Sequence, residues 1–514
     1  MMTSQRACRG LLLVALVAAG CVPDLPQGEP LEADREVPDG WSTSGGEDTG
    51  SAGGGAGESS RPSAQVDWRE FFSDPHLVAL IETALAQNQE LNIMVQENLL
   101  ASYEIMVRRG EYLPRLGVGA SAGIERVGRN SSQGRSDEMA GLDEDLQDYR
   151  FGLSASWEID VWRRMRNARD AAQLRYLATI EERGFMVTRL VAEIASLYYE
   201  LLALDQQAEV VAHSIELQRD TLELLRLQMQ AARATALAVS RFEAELADFE
   251  SRQYDIRQRI VETENRINFL VGRFPQPVER NSGSFMETEP AVVRAGLPTE
   301  LLENRPDVRA AELQMEAAEL DVRSARARFY PALSLEAGVG YGSFDIRHLI
   351  DTPGSLLYNL FANLTAPLLN RNAITAGYYS ADARQRQAVI GYERAILTAY
   401  MEVVNRLSLI ENLGRSFEAR ARRVERLTDS IEISNTLFDS ARADYLEVLT
   451  ARRDSLDAQM ELIETKQRQM TAAVRLYQAL GGGWSREASA RADARASADA
   501  GDDEGADADA DAPR

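Results

Sequence analysis

Cysteine is almost missing from this 514-residue sequence. Cys8 and Cys21 are the only two, and both sit at the extreme N-terminus. The body of the chain can therefore hold neither a disulfide framework nor a cysteine metal site. Histidine is as scarce: His76, His213 and His348 are scattered, and no histidine cluster is visible in the sequence. Excess positive charge is missing too. The formal net charge of −24 argues against a nucleic-acid partner, which needs a basic face. No phosphate-cradling Gly loop, HExxH pair or nucleophile elbow occurs, so nothing points to an enzyme, and no cofactor or metal is expected. Proline is absent from 163–274 and again from 368–484. Past the N-terminus there is no run of about 18 consecutive apolar residues, so no membrane-spanning helix is expected.

What is present begins with a leader. Arg6 and Arg9 precede a short apolar run, Leu11 to Ala19, which ends in Val17-Ala18-Ala19-Gly20-Cys21. Small residues before a cysteine resemble a bacterial lipobox, so residues 1–20 read as a lipoprotein signal peptide and Cys21 as the acylated first residue. The best-fitting lipoboxes carry Leu where Ala18 stands, and the alternative is an ordinary leader cleaved nearby. Residues 21–65 are rich in Gly, Ser, Pro and acids and read as a disordered tether. Residues 485–514 alternate Ala with Asp and read as a disordered acidic tail.

Between them the chain is duplicated, 66–274 and 299–484, with an equatorial linker at 275–298. Tyr112-Leu113-Pro114 recurs as Phe329-Tyr330-Pro331, an offset of 217. Arg266 to Gly272 recurs as Arg475 to Gly481, an offset of 209, which also relates Ile215, Leu222 and Met229 to Val424, Ile431 and Phe438. The eight extra residues of the first copy fall in the polar, Gly-rich loop at 126–148.

Each copy runs in the same order. A helix comes first, over 74–112 and again over 299–328, with Leu80, Ala84, Leu85, Asn88 and Leu91 at helical spacing. A strand pair follows. Leu116, Val118, Ala120, Ala122 and Ile124 alternate with Gly, Ser and Glu, and Phe151 to Asp160 alternate likewise. The second copy does the same from Leu333 to Tyr341 and from Leu360 to Leu368. Such alternation suits a membrane β-strand, although a half-buried strand of a soluble sheet has the same pattern. Last comes a long helical hairpin, split near 230–240 and 439–448, with arms of roughly 40–70 residues and heptad spacing such as Ile215, Leu222, Leu225 and Met229.

Four strands cannot close a barrel, for which about eight is the practical minimum, and an open edge cannot persist in lipid. Membrane strands would therefore have to be shared among several chains, with the helices forming a second ring. The expected fold class is mainly α with membrane β: four strands and long antiparallel hairpins per chain, assembled into a shared β-barrel and an α-helical tunnel.

At this point the sequence resembles the TolC-like outer-membrane factors, in particular the lipidated OprM/NodT-type members. The marks are Trp68 with Phe71-Phe72 and Asp74, Asn88 with Leu91, Pro114, Trp157-Glu158-Ile159-Asp160, Leu301 to Arg309, Tyr330-Pro331 and Ala479 to Trp484. The resemblance implies a homotrimer with a twelve-stranded barrel in outer-membrane lipid and a periplasmic tunnel. It also implies an inner-membrane pump and a periplasmic adaptor (a membrane fusion protein) as partners, and export of small solutes. The sequence departs from the family at the hairpin tips, where Ala232 and Ala441 stand for the usual Gly. It departs again after the second strand of each copy, where Trp162-Arg163 and Arg371-Asn372 replace Gly. At the constriction, Glu447 and Thr450 occupy the positions of one or two acids.

The alternative functions are a periplasmic adaptor or a coiled-coil scaffold, neither of which accounts for two copies each with a strand pair. Acids such as Glu158 and Asp160 read as solvated groups or salt-bridge partners. Thr235, Leu237, Val239, Ser240, Asp444, Leu446 and Val448 are the expected adaptor-docking residues, because apolar groups exposed at the end of a rod suggest docking. Glu447 and Thr450, three apart on one helical face, are the expected pore gate. A ring of Glu447 carboxylates should prefer cations at neutral pH and lose that preference in acid.

Overall fold

A computed structural model describes residues 22–38, 40, 41 and 63–484, except 144, 368, 370, 441 and 443. The expected acyl site Cys21, the leader and the acidic tail lie outside the described residues, as does Ala441.

Among the described residues the α-helices are α1 (Trp68–Phe71), α2 (Pro75–Gln87), α3 (Gln89–Glu111), α4 (Ser132–Ala140), α5 (Arg164–Gln230), α6 (Ala236–Val271), α7 (Leu301–Asn304), α8 (Pro306–Ala327), α9 (Asn372–Asp439) and α10 (Tyr445–Ala479). The strands are β1 (Arg115–Arg126), β2 (Asp145–Ile159), β3 (Ala332–Ser343) and β4 (Leu356–Thr365). None of these helices is long and apolar enough to cross a membrane.

The proline-free stretches do form the hairpins α5–α6 and α9–α10. With 67 and 68 residues, the first arms are each about 100 Å long. The second arms, 36 and 35 residues, fall short of the expected range. Burial explains why they are helices. On α6, Phe242, Phe249, Ile256, Thr263 and Leu270 are buried at steps of seven, and on α10, Leu449, Leu456, Ile463, Met470 and Tyr477 do the same. A strict seven-residue apolar repeat winds helices around one another left-handedly.

The sheet is antiparallel in the order β1-β2-β3-β4. Its register brings the alternating apolar residues onto one face of all four strands: Val118 opposes Leu153, Leu153 opposes Val339, and Val339 opposes Tyr358. The other face is small and polar on β1 and β3, but carries Leu146 of β2 and Leu357 and Phe361 of β4. There Gly152 opposes Gly340, and the two backbones approach so closely that a methyl on Gly152 would come within 2.6 Å of the Val339 carbonyl oxygen. β1 and β4 each pair on one side only, so both outer edges are open within the chain.

Four expectations need correction. The helix expected over 74–112 breaks at Asn88, which takes an extended conformation. Its side-chain oxygen accepts from the Leu91 N–H at 2.9 Å, and its Nδ2 donates to the Leu270 carbonyl at 2.8 Å. The second copy breaks at the matching place, Arg305. The loop at 126–148 contains α4, capped by Ser131 and stopped by Gly141 at φ +70°, and β2 begins at Asp145, well before Phe151. β4 ends at Thr365, before Ala366, and Leu368 lies outside the described residues. Finally, the supposed tether is pinned along part of its length. Arg386 donates to the carbonyls of Gln27, Gly28 and Glu29, Gln385 to that of Leu31, and Tyr379 to that of Asp24. Farther on, Trp41 stacks on Tyr400 and donates to the Gly296 carbonyl.

The chain divides into two compact units, each drawing on both copies. One holds Asn98–Thr179 and Ala311–Tyr392 with the described N-terminal residues up to Ala33. The other holds the described residues of Asp34–Glu97, Ile180–Ala310 and the described residues from Glu393 on. The second has the larger core, where Trp68, Ile81, Ile194, Val271, Phe285 and Tyr477 meet. Phe285 and Val278 belong to the linker, which Arg280 holds by ion pairs to Asp205 at 2.6 Å and Glu264 at 2.5 Å.

Two departures from the family pattern fall at left-handed backbone positions. Arg163 and Ala232 stand where the resemblance implies Gly, and both adopt positive φ, 59° and 56°. Each L-residue held there costs about 1–2 kcal/mol. After β2, Asp160 compensates. Its buried carboxylate accepts from the Met165 and Arg166 N–H groups and so caps α5. It is a cap and, through Arg166 at 3.3 Å, also one of the salt-bridge partners expected, as is Glu158, which pairs with Arg164 at 2.6 Å.

Candidate functional site: the hairpin tips

Each tip is a short turn between an arm that ends without proline and one that starts with a capping residue. In the first, α5 closes through Ala232, whose N–H donates to the Met229 carbonyl, and the Thr235 hydroxyl accepts from the Ala238 N–H at 3.2 Å. In the second, the Asp444 carboxylate accepts from the Tyr445 N–H at 2.7 Å. Thr235 and Asp444 are thus N-caps, which explains their residue types without any partner.

The apolar tip residues divide. Leu237 and Leu446 are 59% and 41% exposed, but Val239 and Val448 are only 7% and 4% exposed. Two residues along a helix turn a side chain by about 200°, so one exposed position implies its neighbour faces in. Val239 packs with Leu222, Leu225, Phe242 and Leu449, the last from the second hairpin. Val239 therefore belongs to the core between the hairpins, and Val448 is buried as well, contrary to the expected exposure of both. Ser240 is exposed beside Leu237.

Glu447 lies in the first turn of α10, where its N–H donates to the Asp444 carbonyl and its charge meets the positive helix end. Glu447 and Thr450 are both exposed. Among the described residues no ion pair ties Glu447 to Arg442.

Sequence reasoning missed the polar links that join the two hairpins near the tips. Arg252 on α6 pairs with Asp457 on α10 at 2.6 Å. Arg452, whose pKa burial lowers, donates to Thr221 Oγ1 at 2.6 Å. Glu245 is pushed upward in pKa by burial, and its buried Oε1 has no partner among the described residues. The signal for them was charge at positions flanking the heptads, but the partner lies in the other copy some 200 residues away, and pattern does not supply it. No cluster of His, Cys, Asp and Glu able to hold a metal occurs among the described residues.

Comparison with known proteins agrees with this architecture. The outer membrane efflux protein family matches over residues 80–273 and 297–482. The solvent efflux pump outer membrane protein SrpC of Pseudomonas putida is 30% identical over 482 residues, covering 92% of this chain and 98% of that protein. The pyoverdine export outer membrane protein OpmQ of Pseudomonas aeruginosa is 29% identical, covering 81% and 87%. The cation efflux system protein CusC of Escherichia coli is 28% identical, covering 81% and 88%. A crystal structure of a membrane protein from Pseudomonas aeruginosa superposes with a TM-score of 0.78 at 25% identity, over 90% of this chain and all of that one. The open-state outer membrane channel MtrE of Neisseria gonorrhoeae shares the fold, with a TM-score of 0.77 at 24% identity over 91% and 99% of the two chains.

Proposed function

The chain belongs to the outer membrane efflux protein family, and on that footing we propose that it is the outer-membrane channel of a tripartite export system, taking small solutes from an inner-membrane pump through a periplasmic adaptor. It resides in the outer membrane and catalyses no reaction. The observation that carries this reading is one chain with two helical hairpins, whose first arms are each about 100 Å long, and a four-stranded sheet whose apolar face and two outer edges are open. Such a sheet is complete in lipid only when copies share it, and three copies give a twelve-stranded barrel. Native mass spectrometry in detergent should return three chains, and the reconstituted protein should conduct ions in planar bilayers. A stable monomer that keeps its strand content would overturn the shared barrel.

The acyl anchor at Cys21 is part of the proposal. Its neighbour Val22 packs against the cluster of Phe329, just before β3, and Tyr378, in the second turn of α9. That supports an N-terminus held at the helix-side end of the strands, next to lipid. Intact mass of membrane-extracted protein should show two or three acyl chains on a terminus starting at Cys21. An unmodified terminus at Val22 or Pro23 would remove the anchor.

Adaptor docking is proposed for Leu237 and Leu446, supported by their exposure beside buried neighbours. The double substitution Leu237→Asp and Leu446→Asp should reduce export to the level of cells without the channel while the oligomer assembles normally. Unchanged export would end the docking role. For the gate, Glu447→Gln should shift the reversal potential in a KCl gradient toward lower cation preference; an unaltered reversal potential would show that Glu447 does not set selectivity.

A further inference from the structure

Trp484, the last of the described residues, is held at a fixed point on α5. A methyl on Gly184 would fall 2.5 Å from the Trp484 ring, and the Arg183 guanidinium lies 6.0 Å from its centre. A methyl on Gly483 would lie 4.0 Å from Thr188 Cα. The residue after Thr188 is Arg189, so the chain beyond Trp484 starts close to an exposed cation.

Arg189 belongs to a group of three arginines from three helices. Gln469 of α10 donates to the Leu413 carbonyl of α9 at 3.2 Å, and in an antiparallel hairpin that register sets Arg475 beside Arg406. Burial lowers the Arg475 pKa, and Arg406 and Arg189 lower it further, so the three cations stand close together. The duplication explains why no acid joins them. Arg266, the first-copy counterpart of Arg475, pairs with Glu193 at 2.7 Å. The same offset of 209 takes Glu193 to Glu402, but Glu402 pairs with Arg305 at 2.9 Å. Arg475 keeps a hydrogen bond to Gln478 Oε1 at 3.0 Å, and the acid that acts on it, Glu193, is already held by Arg266. Neither Arg189 nor Arg406 has an ion pair among the described residues. Arg406 and Arg475 are half-buried, where a charge ordinarily has a partner. In a chain with 80 acids and 56 bases, three arginines together without an acid of their own mark a place that an anion covers.

We propose that residues 499–511 of this chain dock on Arg189, Arg406 and Arg475. That stretch carries seven acids and no base. It begins 15 residues beyond Trp484, a length of chain that spans roughly 20 Å, so its acids come within range of Arg189. Attachment through Trp484 makes the contact intramolecular, and a few charge pairs then suffice where a free peptide would dissociate. The bases Arg486, Arg491 and Arg495 fall in the connecting stretch, apart from the acids. Ala alternates with Asp over much of 499–511, so the contact is one of charge with little apolar cover, and salt releases it.

The test is the mobility of a nitroxide spin label on Ala506→Cys, read by electron paramagnetic resonance on the full-length protein in a neutral detergent. The chain without Ala506→Cys, treated in parallel, gives the background from other thiols. Two variants are compared with it: one with the seven acids of 499–511 changed to their amides, and one with Arg189→Gln, Arg406→Gln and Arg475→Gln. At low salt the label on the unaltered chain should rotate about threefold more slowly than in either variant. Raising salt to about 1 M, where charges are screened within roughly 3 Å, should remove the difference. Circular dichroism reports whether each variant is folded, and the amide variant leaves the folded body untouched if the arginine variant is not. Equal mobility in the unaltered chain and the amide variant at low salt overturns the docking. A label that stays slow in a folded arginine variant overturns it too, since the acids are then held elsewhere. A mobile label on a chain that binds phosphatidylglycerol vesicles through the three arginines would assign the place to lipid instead.

Discussion

Alanine in place of Gly481 is expected to destabilise the protein by about 3 kcal/mol or more, an effect large for the addition of one methyl group. Gly481 ends the second hairpin at φ +89°, and a methyl there would overlap the carbonyl oxygen of Asn304. The left-handed conformation costs an alanine about 1–2 kcal/mol. Relieving the overlap means moving backbone, at roughly 1–3 kcal/mol. Gly272 repeats the arrangement in the first copy, at φ +81° and with a methyl 2.5 Å from the Gln87 carbonyl oxygen. Gly272→Ala should therefore behave like Gly481→Ala. Gly414, inside α9 with nothing within 4 Å, is the control. Gly414→Ala should stabilise by about 1 kcal/mol, as helix propensity requires. Denaturant titration in detergent, followed by circular dichroism, reads all three. If Gly481→Ala and Gly414→Ala shift the midpoint the same way, the close approach at Asn304 is not a constraint.

Removing Arg305 should be still more costly. This buried side chain forms a two-pronged pair with Asp307, Nε to Oδ1 at 2.9 Å and Nη2 to Oδ2 at 2.7 Å. Its Nη1 also donates to Glu402 at 2.9 Å and to the Ala479 carbonyl at 2.9 Å. Burial alone would lower its pKa, but the two carboxylates outweigh it and the net shift is upward. Arg305→Ala strands two acids and a buried carbonyl, an expected loss of about 3–5 kcal/mol. Arg305→Lys should recover less than half, since an ammonium cannot reproduce the flat fork. Asn88→Ala, which removes the uncharged equivalent, should cost only about 1–3 kcal/mol. Equal losses for Asn88→Ala and Arg305→Ala in the same titration would show that charge adds nothing to the clamp.

These two positions also show what can be read from sequence. The strand alternation and the heptads are legible because each is a local period, and the duplication because short runs recur at a constant offset. The clamp is not. Asn88 falls on the helical stripe of Leu80, Ala84 and Leu91, so its spacing reads as one more turn, and the carbonyl it holds belongs to Leu270. Only when Asn88 and Arg305, Leu270 and Ala479, and Gly272 and Gly481 are set side by side does one joint appear twice. At the tips, Leu237 and Val239 carry the same kind of side chain, and nothing in composition says which faces out. The helix start does, once Thr235 is recognised as its cap. The N-terminal segment misled for a different reason. Its Gly, Pro and acidic residues make no core of their own, but they lend backbone carbonyls to side chains of α9, which composition cannot reveal.

That strap has a bearing on the order of events during biogenesis. Its hydrogen bonds from Tyr379, Gln385 and Tyr400 span 354 to 360 residues of chain. Contacts of such separation bear the full entropy of closing a long loop and form only after most of the chain is available. Residues 22–41 are thus among the last to find their place. A nascent or truncated chain lacking α9 would keep residues 22–41 open to proteases, and their protection marks a subunit that is complete.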